Sequence, residues 1–188
     1  FNARVVRYMR ETRAGVQRRA LEVSIMPKVA VVMGSHKDFS AVEPCIKQLA
    51  ALGIEVEARV LSAHRTPEEA AAFARLAQEN GIEVIIAAAG KAAHLGGVLA
   101  AYTVLPVIGL PIAASQLDGM DALLAIVQMP AGIPVATVAI NGAQNAALLA
   151  AQILAVKYGD IRAKLERNRT QMHDDVLMHD AEIASRVA

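Results

Sequence analysis

The sequence has no tryptophan, and its three phenylalanines and three tyrosines amount to 3% aromatic residues. A core without large rings must be filled by Ala, Val, Ile and Leu, which suits helices packed closely on a buried parallel sheet. Cysteine is nearly absent too: Cys45 stands alone. One thiol excludes an internal disulfide and a cysteine-based zinc cluster, and it fits a reducing, cytoplasmic setting. No charge sign dominates, since 19 Lys and Arg face 18 Asp and Glu for a formal net charge of +1. The bulk charge therefore carries no nucleic-acid footprint.

Apolar residues are plentiful: 55% of the chain is hydrophobic and the mean hydropathy is +0.37. Such a chain either enters a membrane or hides apolar surface against copies of itself. The uncharged run from Leu95 to Ala114 is long enough to cross a bilayer. Gly96, Gly97, Pro106, Gly109 and Pro111 cut it into short pieces, however, and no basic flank orients it. The expectation is no membrane partner and a homo-oligomer.

At 188 residues the chain is one domain with tails. Residues 1–25 carry Arg4, Arg7, Arg10, Arg13, Arg18 and Arg19, a basic character that the rest of the chain does not share. They read as an N-terminal extension or expression remnant, with a basic arm or targeting peptide as the alternative. Residues 26–158 read as the catalytic α/β domain, and 159–188 as a C-terminal helix and tail.

Within the domain, Lys28 to Met33 (KVAVVM) is an apolar run stopped by Gly34, the pattern of a buried parallel strand entering a tight turn. Ser35 and Asp38 open a helix that runs to about Leu52, with Ser35 as the cap. The segment Gly34 to Asp38 is either a plain capped helix start or a loop whose N–H groups hold phosphate, helped by Lys37. From Ile54 to Leu61, apolar Ile54, Val56, Ala58 and Val60 alternate with Glu55, Glu57 and Arg59, which predicts a half-buried strand.

Next comes Ser62-Ala63-His64-Arg65-Thr66-Pro67, where Thr66, Pro67 and Glu69 spell an N-cap, a first helical position and a capping box. The helix is expected to reach Glu79, with Asn80-Gly81 as its stop. Glu83 to Ala89 is a third strand, leading into Gly90-Lys91-Ala92-Ala93-His94-Leu95-Gly96-Gly97, small residues that let backbone approach a ligand. His94 fits a structural role as well as a catalytic one. Strands are expected at Pro106–Leu110 and Pro134–Ile140 and helices at Gly119–Gln128, Ala143–Val156 and Asp160–Met178. The helix from Ala143 has almost no polar face, so a second subunit is expected to cover what the sheet does not.

Five strands alternating with helices predict a doubly wound parallel sheet, an α/β three-layer sandwich. In such sheets ligands bind beyond the strand carboxyl ends, where the loops carrying Gly34, Ser35, Asp38, His64, Arg65, Gly90, Lys91 and His94 would meet. A phosphorylated small molecule fits that set.

The segments VVMGSxxD (Val31 to Asp38), SAHRTP (Ser62 to Pro67), AAHL (Ala92 to Leu95), IVQMPxGIPVATVAI (Ile126 to Ile140) and NAALLAAQIL (Asn145 to Leu154) resemble the bacterial 5-(carboxyamino)imidazole ribonucleotide mutase family of purine biosynthesis. The resemblance implies a flavodoxin-like fold, a homo-octamer and no metal or organic cofactor. It also implies that His64 is the general acid/base, that Ser35, Asp38 and Arg65 bind the phosphoribosyl group, and that His94 borders the imidazole and migrating carboxylate. Lys91 departs from the family pattern, which has glycine there. Two other functions stay open beside the mutase: direct carboxylation of aminoimidazole ribonucleotide, and a non-catalytic module that binds a phosphoribosyl ligand.

Overall fold

Lys28–Met33 forms β1, with Val29 to Met33 buried. This is an inner strand of a sheet seen in a computed structural model that describes residues 26–114 and 116–187. The extension expected over residues 1–25 lies outside the described residues. After a short 3-10 turn at His36–Asp38 come α1 (Phe39–Ala51), β2 (Glu55–Val60), α2 (Pro67–Leu76), β3 (Ile82–Gly90) and α3 (Leu95–Ala100). They are followed by β4 (Val107–Ile112), α4 (Met120–Val127), β5 (Ala136–Thr137), α5 (Ala143–Ala155) and α6 (Gly159–Val187).

All strand pairs are parallel and the order is β2-β1-β3-β4-β5. That is the flavodoxin-like order, whose direction of winding switches between β1 and β3. Alternate residues of each inner strand serve opposite layers. Val29, Val31, Val84, Ile86, Ile108 and Leu110 pack under α1, α5 and the start of α6. Ala30, Val32, Ile85, Ala87 and Val107 pack under α2, α3 and α4. Small residues on the second face let those helices sit close to the sheet.

The long uncharged run resolves into α3 and β4, and among the described residues no helix is long and apolar enough to cross a membrane. Three further expectations are corrected. The half-buried strand is an edge strand: Ile54 just before it is buried and Val56 partly covered, but Ala58 is exposed and Val60 is 52% exposed. The helix layers centre on β1, β3 and β4, so alternation could not report which strand lies outermost. The fifth strand shrinks to Ala136–Thr137, because it is paired with β4 only at Ile108 and Gly109. The apolar helix α5 packs on α1 along one flank and α6 along the other, with Leu148, Leu149 and Ile153 left partly buried.

The last correction concerns α6, which runs through Val187 rather than ending near Met178. Ile161 and Leu165 anchor it in the core. Further along the same stripe, Met172, Val176, Ile183 and Val187 recur at helical spacing and are exposed.

Candidate functional site

Three loops leave the sheet side by side because their strands end in register. Met33 pairs with Val60 on one side and Ala88 on the other. Main-chain bonds continue the ladder into the loops: Gly34 N–H donates to Ala88 O at 3.0 Å and Leu61 N–H to Met33 O at 3.0 Å. The resulting cleft has a volume of about 430 Å³. Gly34, Ser35 and Asp38 line it from the first loop, His64 and Arg65 from the second, and Gly90 and Lys91 from the third. It sits at the winding switch beside β1 and β3, where this class of sheet takes its ligands.

The first loop is built as the sequence predicts. Ser35 is extended and its hydroxyl accepts from Lys37 N–H at 3.3 Å, capping the short turn. Asp38 is buried at 8% exposure. Burial pushes its carboxyl above the usual carboxylate range, against a Ser35 backbone hydrogen bond and the Arg65 and His36 charges that favour the ionised form.

The second loop differs from the predicted capping box. Thr66 makes no side-chain cap to α2. Its hydroxyl turns back, accepting from Ser62 N–H at 2.9 Å and donating to Ser62 O at 3.2 Å, while Thr66 N–H donates to Ser62 O at 2.9 Å. A hydroxyl can serve either a helix start or a turn, and here the turn wins. Ser62 is a site residue the motif reading assigned no role. Its Oγ accepts from His64 N–H at 3.4 Å and from Arg65 N–H at 3.2 Å and Nε–H at 3.4 Å. Its place four residues before a threonine, opening a turn, was the available signal. Arg65 is also tied across the cleft, donating from Nη2 to Gly34 O at 3.2 Å.

The third loop leaves little space at Gly90: a Cβ there would stand 2.7 Å from Ala114 Cβ and 3.0 Å from Ile112 O. Lys91 holds a left-handed backbone with φ of 58°, a conformation that favours glycine. Lys91 and Ala114 also line a second, more open hollow of about 640 Å³ with Ala113, Gln116, Leu117 and Asp121.

His94 does not line the main cleft, but its ring reaches the one that does. His94 Nδ1 lies 2.9 Å from His64 Nε2, with ring centroids 5.0 Å apart and planes crossed at 73°. The cleft thus joins donors suited to an anion with a pair of imidazoles suited to proton transfer. Among the described residues no group of three or more His, Cys, Asp or Glu side chains is placed to hold a metal ion. Cys45 is buried in the core, where desolvation pushes its thiol up to about 12, and it takes no part in the cleft.

Residues 28–175 match the AIR carboxylase family. The chain is 56% identical over 147 residues to the N5-carboxyaminoimidazole ribonucleotide mutase of Pyrococcus abyssi, covering 78% of this chain and 84% of that protein. It is 51% identical over 157 residues to the mutase of the same name from Mycobacterium tuberculosis, covering 84% and 90%. A crystal structure of Treponema denticola PurE superposes with a TM-score of 0.75 at 26% identity, over 83% of this chain and 98% of that one.

Proposed function

Because the chain belongs to the AIR carboxylase family, we propose that it is an N5-carboxyaminoimidazole ribonucleotide mutase of purine (IMP) biosynthesis, an isomerase that moves a carboxylate within its substrate. It converts 5-carboxyamino-1-(5-phosphoribosyl)imidazole to 5-amino-1-(5-phosphoribosyl)imidazole-4-carboxylate. The observation that carries this reading is identity of 50 to 56% with proteins of that name. The family match from residue 28 to 175 takes in every residue of the cleft.

The chemistry asks for few parts. Ser35, Asp38 and Arg65 hold the phosphoribosyl end, and that binding energy fixes the imidazole where it must react. The exocyclic C–N bond of the carbamate breaks, its electrons stay on nitrogen, and the nitrogen takes a proton. Carbon dioxide is left beside the ring carbon, whose electron pair captures it before the ring proton leaves. The nitrogen gains the proton that the carbon gives up, so one acid/base closes the cycle. His64 fills that role, a contribution of about 10²- to 10⁴-fold for a positioned acid/base. Gly34, Gly90 and Lys91 shape the surface that the imidazole and carboxylate meet, His94 reaches it through His64, and no cofactor takes part.

The enzyme works in the cytoplasm as a homo-octamer, without nucleic-acid or membrane partners. Exposed apolar side chains support assembly: Val60 on the edge strand and Met172, Val176, Ile183 and Val187 on α6. A second reading, direct carboxylation of aminoimidazole ribonucleotide, is favoured by Lys91, a cation at the rim of the cleft where it could recruit bicarbonate. Substrate labelled on its carbamate carbon separates the two. A mutase gives product that keeps most of the label in excess unlabelled bicarbonate, since recapture in the closed site outruns escape. Wholesale exchange under single-turnover conditions, corrected for spontaneous carbamate breakdown, would replace the mutase with the carboxylase. No turnover with either substrate would leave a binding module.

A further inference from the structure

The hydrogen bond between the two imidazoles constrains what each ring can do. Nε2 of His64 and Nδ1 of His94 are 2.9 Å apart, so one must donate and the other accept. With both rings neutral the bond holds one bridging proton. With one extra proton it survives, because the charged ring donates and the neutral ring accepts. With two extra protons both facing nitrogens become donors, the bond is lost, and like charges are left in contact.

We propose that His64 and His94 act as one proton-handling unit, in which His94 is a positioning residue that accepts from His64 Nε2 and so leaves His64 Nδ1 as the working nitrogen. In the charged unit His64 carries protons on both nitrogens, and His94 is neutral with its proton on Nε2. The Nδ1 proton passes to the exocyclic nitrogen as the C–N bond breaks. Neutral His64 keeps its Nε2 proton on the bridge and turns the Nδ1 lone pair toward the substrate. After the C–C bond forms, that lone pair takes the ring-carbon proton and the unit regains its starting charge. No proton has to cross the bridge, and the sum over the cycle is zero. The bridge keeps the base from choosing the wrong tautomer between the two half-reactions.

Other charged groups near the unit come from each neighbouring element. Arg65 adjoins His64, Glu68 and Glu69 open α2, Lys37 and Asp38 lie in the first loop, and Lys91 stands three residues before His94. α3, which His94 precedes, brings none. These groups set the absolute position of the pH profile, while the bridge sets its dependence on His94.

The inference rests on the mutase reading for the reacting atoms, but the bridge itself can be tested without substrate. In ligand-free protein labelled with ¹⁵N, His64 should show a protonated Nε2 coupled to His94 Nδ1, and His94→Phe should abolish the coupling and change the His64 nitrogen shifts. With substrate, His94→Phe should lower kcat by about 10- to 100-fold, leave KM nearly unchanged and displace the pH profile of kcat. His94→Asn, which keeps an acceptor, should recover part of the rate and of the profile, and it guards against a phenylalanine variant that fails to fold. A pH profile in either variant that superposes on that of the unaltered protein overturns the proposal, whatever the size of the rate loss. So does unaltered protein with no His64–His94 coupling. Intact coupling in a protein that does not turn over the carbamate would instead reject the mutase reading and leave the bridge standing.

Discussion

Replacing Lys91 separates backbone strain from side-chain function at one position. Its φ of 58° places an ordinary side chain in the left-handed region, which costs roughly 1 to 2 kcal/mol for a residue with a Cβ. Glycine removes that strain, but it frees the unfolded chain at a cost of roughly 0.4 to 1 kcal/mol. The balance leaves Lys91→Gly more stable than Lys91→Ala by about 0.5 to 1 kcal/mol, since alanine keeps the Cβ and the strain. For a chain of this size that difference corresponds to a rise in Tm of about 1 to 4 °C. Both variants should be melted at one protein concentration, because assembly contributes to apparent stability. Comparing glycine with alanine cancels the loss of the lysine stem, which both share. A glycine variant no more stable than the alanine variant would refute the strain argument. A residue kept at such a backbone angle points to a use for its side chain, so both variants should lose turnover or label retention despite their different stabilities.

Gly90→Ala should lose about 1 to 3 kcal/mol in urea unfolding, because its Cβ would press on Ala114 Cβ at 2.7 Å, and adding Ala114→Gly should restore part of it. Gly34→Ala should unfold at the same urea concentration as the unaltered protein, since its Cβ meets nothing nearer than 3.9 Å, while weakening substrate affinity in calorimetry. Asp38 has a carboxyl raised by burial, so the folded state holds its proton more tightly than the unfolded one. Stability from this group is complete below the unfolded value of about 3.8 and is lost as pH rises through the folded value. Asp38→Asn should therefore stabilise the fold at neutral pH and flatten this part of the pH dependence in denaturation curves, while weakening substrate binding. Val176→Glu combined with Ile183→Glu alters exposed positions only, so circular dichroism should be unchanged while sedimentation reports a smaller assembly; an unchanged sedimentation coefficient would free that stripe of any role in association.

The strand and helix order was legible because Gly34, Asn80-Gly81 and the apolar runs punctuate the chain with short-range signals. Gathering of the three loops came from the parallel order alone. Several features were not legible, each for a physical reason. Alternation in β2 describes which side a residue faces, not whether a helix lies over it, so Val60 could not be told from a covered residue. Thr66 had two partners within reach, and only the folded turn decides between them. The bridge between His64 and His94 spans 30 positions, and it exists because β2 and β3 flank β1 and end in register with it rather than because of any local pattern. The length of α6 escaped as well, since beyond Leu165 little of it rests on the domain that the sequence pattern describes.

Arg65 is already braced before any ligand arrives, by Ser62 Oγ on one side and Gly34 O on the other. A long arginine side chain loses about 2 kcal/mol of rotamer entropy when it is immobilised, and here folding has absorbed that loss in advance. In the phosphoribosyl-binding role proposed for Arg65, encounter with a phosphate needs no search by the arm, so capture should proceed in a single fast phase and differences in affinity should reside in the escape rate. Lysine at this position would keep the charge but could not hold both braces in the plane of one guanidinium. Such a replacement would convert a rigid receptor into one that must close around each arriving molecule, and the delay would appear in the time course of binding before it appeared in any equilibrium constant.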